Sequence, residues 1–242
     1  MKAMVLAAGL GTRLRPLTND RPKALVKVAG RTMLDLTLDR LRAFGIHEVI
    51  VNVHHFAEGI AQHLRNQERI AVSREDVLLD TGGGLKNAAW FFLEDRRDEP
   101  FLVHNVDVIS TIDLARMVEV HVKQNALATL AVQARPTSRP LLFDAQGQLR
   151  GRAERGDPDP QRGMHALAFA GIHVVSPRIF PRITENGIFS IIDTYIRLAS
   201  EGEKIFAFHA DAYYWRDLGR PENVAQAARD LETGVLQLRA PS

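Results

Sequence analysis

Residues 1–30, MKAMVLAAGLGTRLRPLTNDRPKALVKVAG, decide how the rest of the chain reads. Met4-Val5-Leu6-Ala7-Ala8 is short, apolar and closed by Gly9, which predicts a central strand of a parallel sheet. The turn through Gly9 and Gly11 then exposes backbone N–H groups at the end of that strand, where they can cradle phosphate oxygens. Arg13, Arg15 and Lys23 add charged donors suited to a polyanion. A Gly-x-Gly alone would be an ordinary tight turn. Strand, glycine turn, Arg-x-Arg and Pro22-Lys23 together point to a bound polyphosphate.

At 242 residues the chain is long enough to bury a substantial core, and its 45% hydrophobic and 25% charged content is that of a globular protein. A net charge of +2 gives no support to a general nucleic-acid surface. The absence of cysteine excludes disulfides, thiolate metal sites and cysteine nucleophiles. Met1-Lys2 leads straight into a strand without a secretory apolar region, and no apolar run approaches the roughly 20 residues of a spanning helix. The expectation is a cytoplasmic protein without membrane or nucleic-acid partners.

Along the chain, an apolar stripe at Leu34, Leu38 and Leu41 predicts a helix from Thr32 to Phe44, stopped by Gly45. Residues 48–53 read as a second strand, so the two strands flank a right-handed parallel crossover. A helix over 57–66 and a strand over 70–73 follow. Thr81-Gly82-Gly83-Gly84 reads as a glycine-rich turn before a helical segment. Residues 101–109 read as one strand with Asp107 at its carboxyl end, where open α/β sheets hold their ligands. Asp113 is positioned to cap a helix over 114–125. Strands are expected at 128–132, 168–175 and 204–208, and a helix over 191–200 with Ser190 as its cap. A final helix should run from Pro221 to about Leu231, and the tail beyond Gly234 should fray. The polar, Pro/Gly/Asp-rich span 154–163 reads as a surface loop or flap. His54, His55 and His63 lack zinc-type spacing and read as strand-end or surface residues.

The pattern L-A-A-G-x-G-T-R-L-R-P-L-T followed by P-K-A-L-V-x-V-A-G resembles the signature of sugar-1-phosphate nucleotidyltransferases, and the similarity extends over most of the chain. Asn105-Val106-Asp107 resembles the family's N-x-D motif, with Val106 where glycine is usual. Ala170-Gly171-Ile172-His173-Val174 resembles its small-residue–G-I-x-V strand. Trp215-Arg216-Asp217-Leu218-Gly219-Arg220-Pro221-Glu222 resembles W-x-D-x-G-T-P-E. The resemblance implies a Rossmann-like, three-layer αβα fold with a mostly parallel mixed sheet. It implies one domain over 1–242 with a sugar-binding subregion at about 135–200.

By the same resemblance, Leu6, Ala7, Ala8, Gly9, Gly11, Thr12, Arg13, Thr81, Gly82 and Gly83 surround the nucleotide. Arg13 and Lys23 are the catalytic cations, and Asp107 and Asp217 hold Mg²⁺. Asn105, Gly171 and Asp193 face the sugar phosphate, although a place in the first turn of the helix capped by Ser190 also accounts for Asp193. The substrates would be a nucleoside triphosphate and a sugar 1-phosphate, and the products a nucleotide sugar and pyrophosphate. The D-T-G-G-G form at 80–84 and the short chain look most like uridylyltransferases for N-acetylmuramate 1-phosphate. Mannose or heptose guanylyltransferases are the nearest alternative, and glucose thymidylyl- or uridylyltransferases come next. The family's E-K-P lysine has no counterpart, with Arg139, Arg150 and Arg152 as candidate substitutes. Lys27, where proline is common, reads as a solvated strand residue. Two other classes remain: an inactive ligand sensor, which would normally have lost the metal aspartates, and a nicotinamide-binding protein. The latter wants a third glycine at the position of Leu14.

Overall fold

The computed structural model describes residues 1–94, 98–153 and 163–238. Strand β1 (Lys2–Leu6) leads through 3-10 turns at Thr12–Leu14 and Lys23–Leu25 into a small hairpin of β2 (Lys27–Val28) and β3 (Arg31–Thr32). Then come α1 (Met33–Ala43), β4 (Glu48–Val53), α2 (Ala57–Leu64), β5 (Ile70–Arg74), α3 (Asp80–Asn87) and α4 (Ala89–Leu93). The middle holds β6 (Phe101–Asn105), β7 (Val108–Ser110), α5 (Leu114–Gln124), β8 (Ala128–Gln133), β9 (Leu141–Phe143), β10 (Leu149–Arg152) and β11 (His165–Val175). A 3-10 segment at Pro177–Arg182, α6 (Ile191–Ser200), β12 (Ile205–His209), β13 (Trp215–Asp217) and α7 (Pro221–Glu232) complete the order.

Among the described residues nine strands form one mixed sheet. The apolar run near the N-terminus is central, as its composition predicts: β1 pairs in parallel with β4 on one side and β6 on the other. β5 extends the parallel half beyond β4. The long strand β11 turns the sheet antiparallel, pairing with β6, β8 and β9. Its ladder with β8 is interrupted between Phe169 and His173, where Gly171 takes φ +76°. That bulge lets one strand serve two parts of the sheet.

Alternation along β1 sends Ala3, Val5 and Ala7 to one core and Met4 and Leu6 to the other. The first core is closed by α1, α5 and α7 through residues such as Leu34, Met117 and Val224, and the second by Leu85, Phe92 and Leu198 of α3, α4 and α6. The result is the three-layer arrangement that the resemblance implies. Asp113 and Ser190 cap their helices as the sequence predicts, and Thr32, read as the first helical residue, is the cap of α1. Thr32 Oγ1 accepts from Asp35 N at 3.0 Å, Asp113 Oδ1 from Arg116 N at 2.9 Å and Ser190 Oγ from Ile192 N at 3.3 Å. Among the described residues no helix is long and apolar enough to cross a membrane.

Three local readings change. The triple glycine is not a turn: Gly82, Gly83 and Gly84 all lie inside α3. The stretch 101–109 is two strands, β6 and β7, with Val106-Asp107 turning between them. The segment past Gly234 does not fray at once. Leu236 is buried and its N–H donates to Asp230 O at 2.8 Å. The expected flap is outside the described residues over 154–162.

Candidate active site

Two adjoining hollows open at the carboxyl ends of β1, β4 and β6. The larger, about 510 Å³, is lined by Leu6, Ala8, Gly9, Asn52, Thr81 and Asn105, among others. The smaller, about 240 Å³, is lined by Leu10, Gly11, Thr12, Arg13 and Gly219. Lys23, Leu78 and Asp107 line both, so they stand at the seam.

The first loop owes its shape to its glycines. Gly11 sits at φ +65°, a region that L-residues avoid, and a Cβ there would lie 3.0 Å from Thr18 Cγ2 and 3.1 Å from Lys23 Cβ. Thr18 Oγ1 pins the loop by donating to Gly11 O at 2.8 Å. The N–H groups of Gly9, Leu10 and Gly11 have no partner among the described residues. Donors left open side by side at the end of a strand form an anion cradle. Lys23 Nζ stands above it, 3.2 Å from where a Gly9 Cβ would be, and pairs with Asp107 Oδ2 at 2.9 Å.

Asp107 and Asp217 are brought together by a two-stranded sheet that the sequence does not reveal. β13 runs antiparallel to β7, with Asp217 opposite Val108, and Leu218 N donates to Asp107 O at 2.7 Å. The start of α7 secures this end, because Asn223 Nδ2 donates to Asp217 O at 2.8 Å. Gly219 N donates to Asp217 Oδ1 at 2.5 Å. Gly219 must be glycine, since a Cβ there would lie 2.6 Å from Arg13 Nη2 and 2.7 Å from Asp217 Oδ1. The Arg13 guanidinium and the bare face of Gly219 therefore stand together in the smaller hollow, with the Asp217 carboxylate packed beside Gly219, although Asp217 itself lines neither hollow. On the same strand, Trp215 Nε1 donates to Ala170 O at 2.7 Å, and the Arg135 guanidinium lies 3.9 Å from the Trp215 ring centre. Burial lowers the pKa of Arg135, opposed by the charge of Asp217.

Leu6, Ala8, Gly9, Gly11, Thr12, Arg13, Lys23, Thr81, Asn105 and Asp107 all line one hollow or both, as placed from the sequence. Others do not. Ala7 is buried and its N–H is spent on Asn52 Oδ1 at 2.7 Å. Gly82 and Gly83 turn their bare faces to the protein. A Cβ on Gly82 would run into the Phe189 ring, and one on Gly83 would lie 2.6 Å from Gly187 O. Both N–H groups point to Phe189 O, at 2.9 and 3.3 Å. They bring α3 close to the segment before α6, so close packing accounts for both glycines without a base contact.

Gly171 likewise packs on protein: a Cβ would meet Val108 Cγ2 at 2.8 Å and Asn105 Nδ2 at 3.0 Å. Asp193 lines neither hollow and is paired at the surface with Arg152 at 2.9 Å. Arg150 is held by Asp144 at 2.6 Å, and Arg139 is exposed; none of the three candidate arginines lines a hollow. Val106 is fully buried in the core without a positive φ, so its departure from glycine is absorbed by packing. Lys27 is exposed, as expected.

Sequence reasoning missed Asn52, Val77, Leu78, Asp80 and Ile188, which line the larger hollow. One signal was available: Asn52 is the sole polar residue in the apolar run Val49–Val53. Beneath the site, burial pushes the His104 imidazole down to about 4, helped by the Arg40 charge and opposed by its hydrogen bond with Asn105 and by Asp107. Burial, and then the nearby His104, push His173 down to about 3. These histidines serve as neutral core groups. His173 Nδ1 is 2.6 Å from the Tyr195 hydroxyl.

Residues 2–234 match the family model described as nucleotidyl transferase. An N-acetylmuramate alpha-1-phosphate uridylyltransferase of Caulobacter vibrioides is 35% identical over 237 residues, covering 91% of this chain and 92% of its own. A mannose-1-phosphate guanylyltransferase of Mycobacterium tuberculosis is 32% identical and covers 96% of this chain, but only 65% of its own length is matched. Among solved structures, UDP-glucose pyrophosphorylase from Acinetobacter baumanii superposes with a TM-score of 0.76 at 19% identity, covering 98% of this chain and 95% of its own. HddC from Yersinia pseudotuberculosis, complexed with GMP-PN, gives 0.75 at 22%, covering 95% and 99%. At those identities the likeness speaks for the fold alone. The chain belongs to the nucleotidyl transferase family, among the sugar-1-phosphate nucleotidyltransferases.

Proposed function

We propose that the chain transfers a uridylyl group from UTP to N-acetylmuramate 1-phosphate, using Mg²⁺, to give the UDP-sugar and pyrophosphate. One observation carries the choice of base and sugar. The identity to the Caulobacter uridylyltransferase runs almost end to end in both chains, whereas the guanylyltransferase relative is matched over about two thirds of its length.

A phosphate oxygen of the acceptor attacks the α-phosphorus of UTP. A new P–O bond forms, the bond from the α-phosphorus to the bridging oxygen breaks, and pyrophosphate leaves with the electron pair. The nucleophile is already an anion, so no general base is needed. The work of the protein is alignment and charge compensation. Arg13 and the open N–H groups of Leu10 and Gly11 hold the β- and γ-phosphates in the smaller hollow, with the open N–H of Gly9 beside them in the larger. Lys23, at the seam, offsets charge where the two phosphates approach.

Asp107 and Asp217 would hold the divalent cation. They are hard oxygen donors, Asp107 in the turn just before β7 and Asp217 at the end of its partner strand β13, and Oδ1 of Asp107 and Oδ2 of Asp217 have no partner among the described residues, which fits such an ion. When bound, the cation neutralises phosphate oxygens during transfer.

The test is pyrophosphate release with UTP, GTP and dTTP, each paired with N-acetylmuramate, mannose and glucose 1-phosphate. The highest kcat/KM should fall on UTP with N-acetylmuramate 1-phosphate. A maximum on GTP with mannose 1-phosphate would favour the guanylyltransferase reading.

A further inference from the structure

We propose that Glu75 is a positioning residue for the nucleoside end of the site, acting through Asn52 and the backbone of Leu79. This rests on the reading that the larger hollow takes the nucleoside of the triphosphate. Glu75 follows β5 and is only 4% exposed. Its backbone is fixed on both sides: Glu75 N donates to Val53 O at 2.8 Å, and its carbonyl is 2.9 Å from His54 Nδ1. Its carboxylate accepts from Asn52 Nδ2 at 2.6 Å through Oε1 and from Leu79 N at 3.0 Å through Oε2. Asn52 in turn accepts from Ala7 N at 2.7 Å.

These contacts form a chain with fixed polarity. Both ends are backbone N–H donors, Ala7 and Leu79, which cannot reverse. Two side chains must therefore supply three acceptors and one donor between them. Asn52 and an ionised Glu75 do so. Asn with Gln cannot, because some donor then faces a donor in a buried place.

The chain spans the larger hollow from floor to lip. Ala7 directly follows β1, Asn52 lines the floor, and Leu79 leads into Asp80 and Thr81, which also line the hollow. Position 84 shows how close the elements come: a Cβ there would lie 2.7 Å from Glu75 Oε1 and 2.8 Å from Asn52 Nδ2. Helix α3 descends onto the network because residue 84 has no side chain. Glu75 thus sets the distance between floor and lip without lining the hollow.

Calorimetric titration with UTP, GTP and dTTP in the presence of Mg²⁺ tests this on the wild type, Glu75→Gln, Asn52→Asp and the double variant. Glu75→Gln should weaken triphosphate binding about tenfold and leave the KM for the sugar 1-phosphate within twofold. Asn52→Asp sets two carboxylates face to face and should weaken binding at least as much. The double variant N52D/E75Q restores the acceptor count, because the amide now at position 75 donates to the carboxylate now at position 52. It should bind more tightly than N52D alone.

Wild-type affinity in Glu75→Gln, a parallel loss for both substrates, or additive effects in the double variant would overturn the proposal. If Glu75→Gln does not fold, the comparison of N52D with N52D/E75Q still decides it. A wild type that binds GTP and not UTP overturns the uridylyl reading, and the Glu75 test is then read on GTP.

Discussion

Lys23 Nζ lies 2.9 Å from Asp107 Oδ2 at the seam of the two hollows, and the side chains are only 14% and 15% exposed. A cation and a carboxylate so placed hold each other where, on the proposed reading, two polyanions meet. Lys23→Ala leaves Asp107 uncompensated, which should cost about 1–3 kcal/mol of stability. Turnover should fall by roughly 100-fold or more, since a charge that offsets the transferring phosphoryl group is lost. Thermal melts alongside steady-state kinetics check both. A variant that keeps its turnover while losing stability would make the pair structural only.

Gly219→Ala should act on two partners at once. The new methyl would press on Arg13 Nη2 and Asp217 Oδ1. The apparent KM for triphosphate and the Mg²⁺ concentration for half-maximal rate should both rise, by about tenfold. Gly151→Ala, with nothing within 4 Å of its Cβ, is the control and should be silent.

Gly82→Ala separates packing from ligand contact. Its Cβ would overlap the Phe189 ring and lie 2.9 Å from Ile191 N. Overpacking of this kind costs about 1–3 kcal/mol, or a Tm lowered by roughly 3–10 °C in a chain of this size. Differential scanning calorimetry should show that loss, while the KM for triphosphate at low temperature changes less than in Gly219→Ala.

The buried histidines make stability depend on pH. Burial pushes His104 and His121 down to about 4 and His173 to about 3, from an unfolded value near 6.5. Well above pH 6.5 all are neutral in both states and the contribution is complete. Below it the unfolded chain takes up protons that the native state refuses, so stability falls as pH drops towards 4. The slope is about 1.4 kcal/mol per pH unit per histidine. Urea midpoints at pH 7, 6 and 5 should decline steadily, and His121→Asn should flatten the decline.

Local patterns gave up the strands and helices whose own periodicity is strong. The run 48–53 and the helix 191–200 fall on β4 and α6 residue for residue. The glycine triplet misled because its helix is contrary to propensity: three glycines are helical here since Phe189, Gly187 and Glu75 leave no room for side chains. Such neighbours lie far away in sequence and leave no mark on periodicity. The same holds for the β7–β13 pairing and for Glu75, which in sequence is one acidic residue after a short strand. Asp107 and Asp217 were visible as motif residues, but their meeting depends on Trp215–Asp217 pairing with Val108–Ser110.

That pairing also sets a time order. A ribosome releases Asp107 well before Asp217, and β7 has no partner until β13 has followed it out. The phosphate loop, Lys23 and the first carboxylate can all be in place on an unfinished chain that still lacks the second carboxylate and the wall made by Gly219. The Gly219 wall of the smaller hollow therefore closes only once β13 has docked on β7.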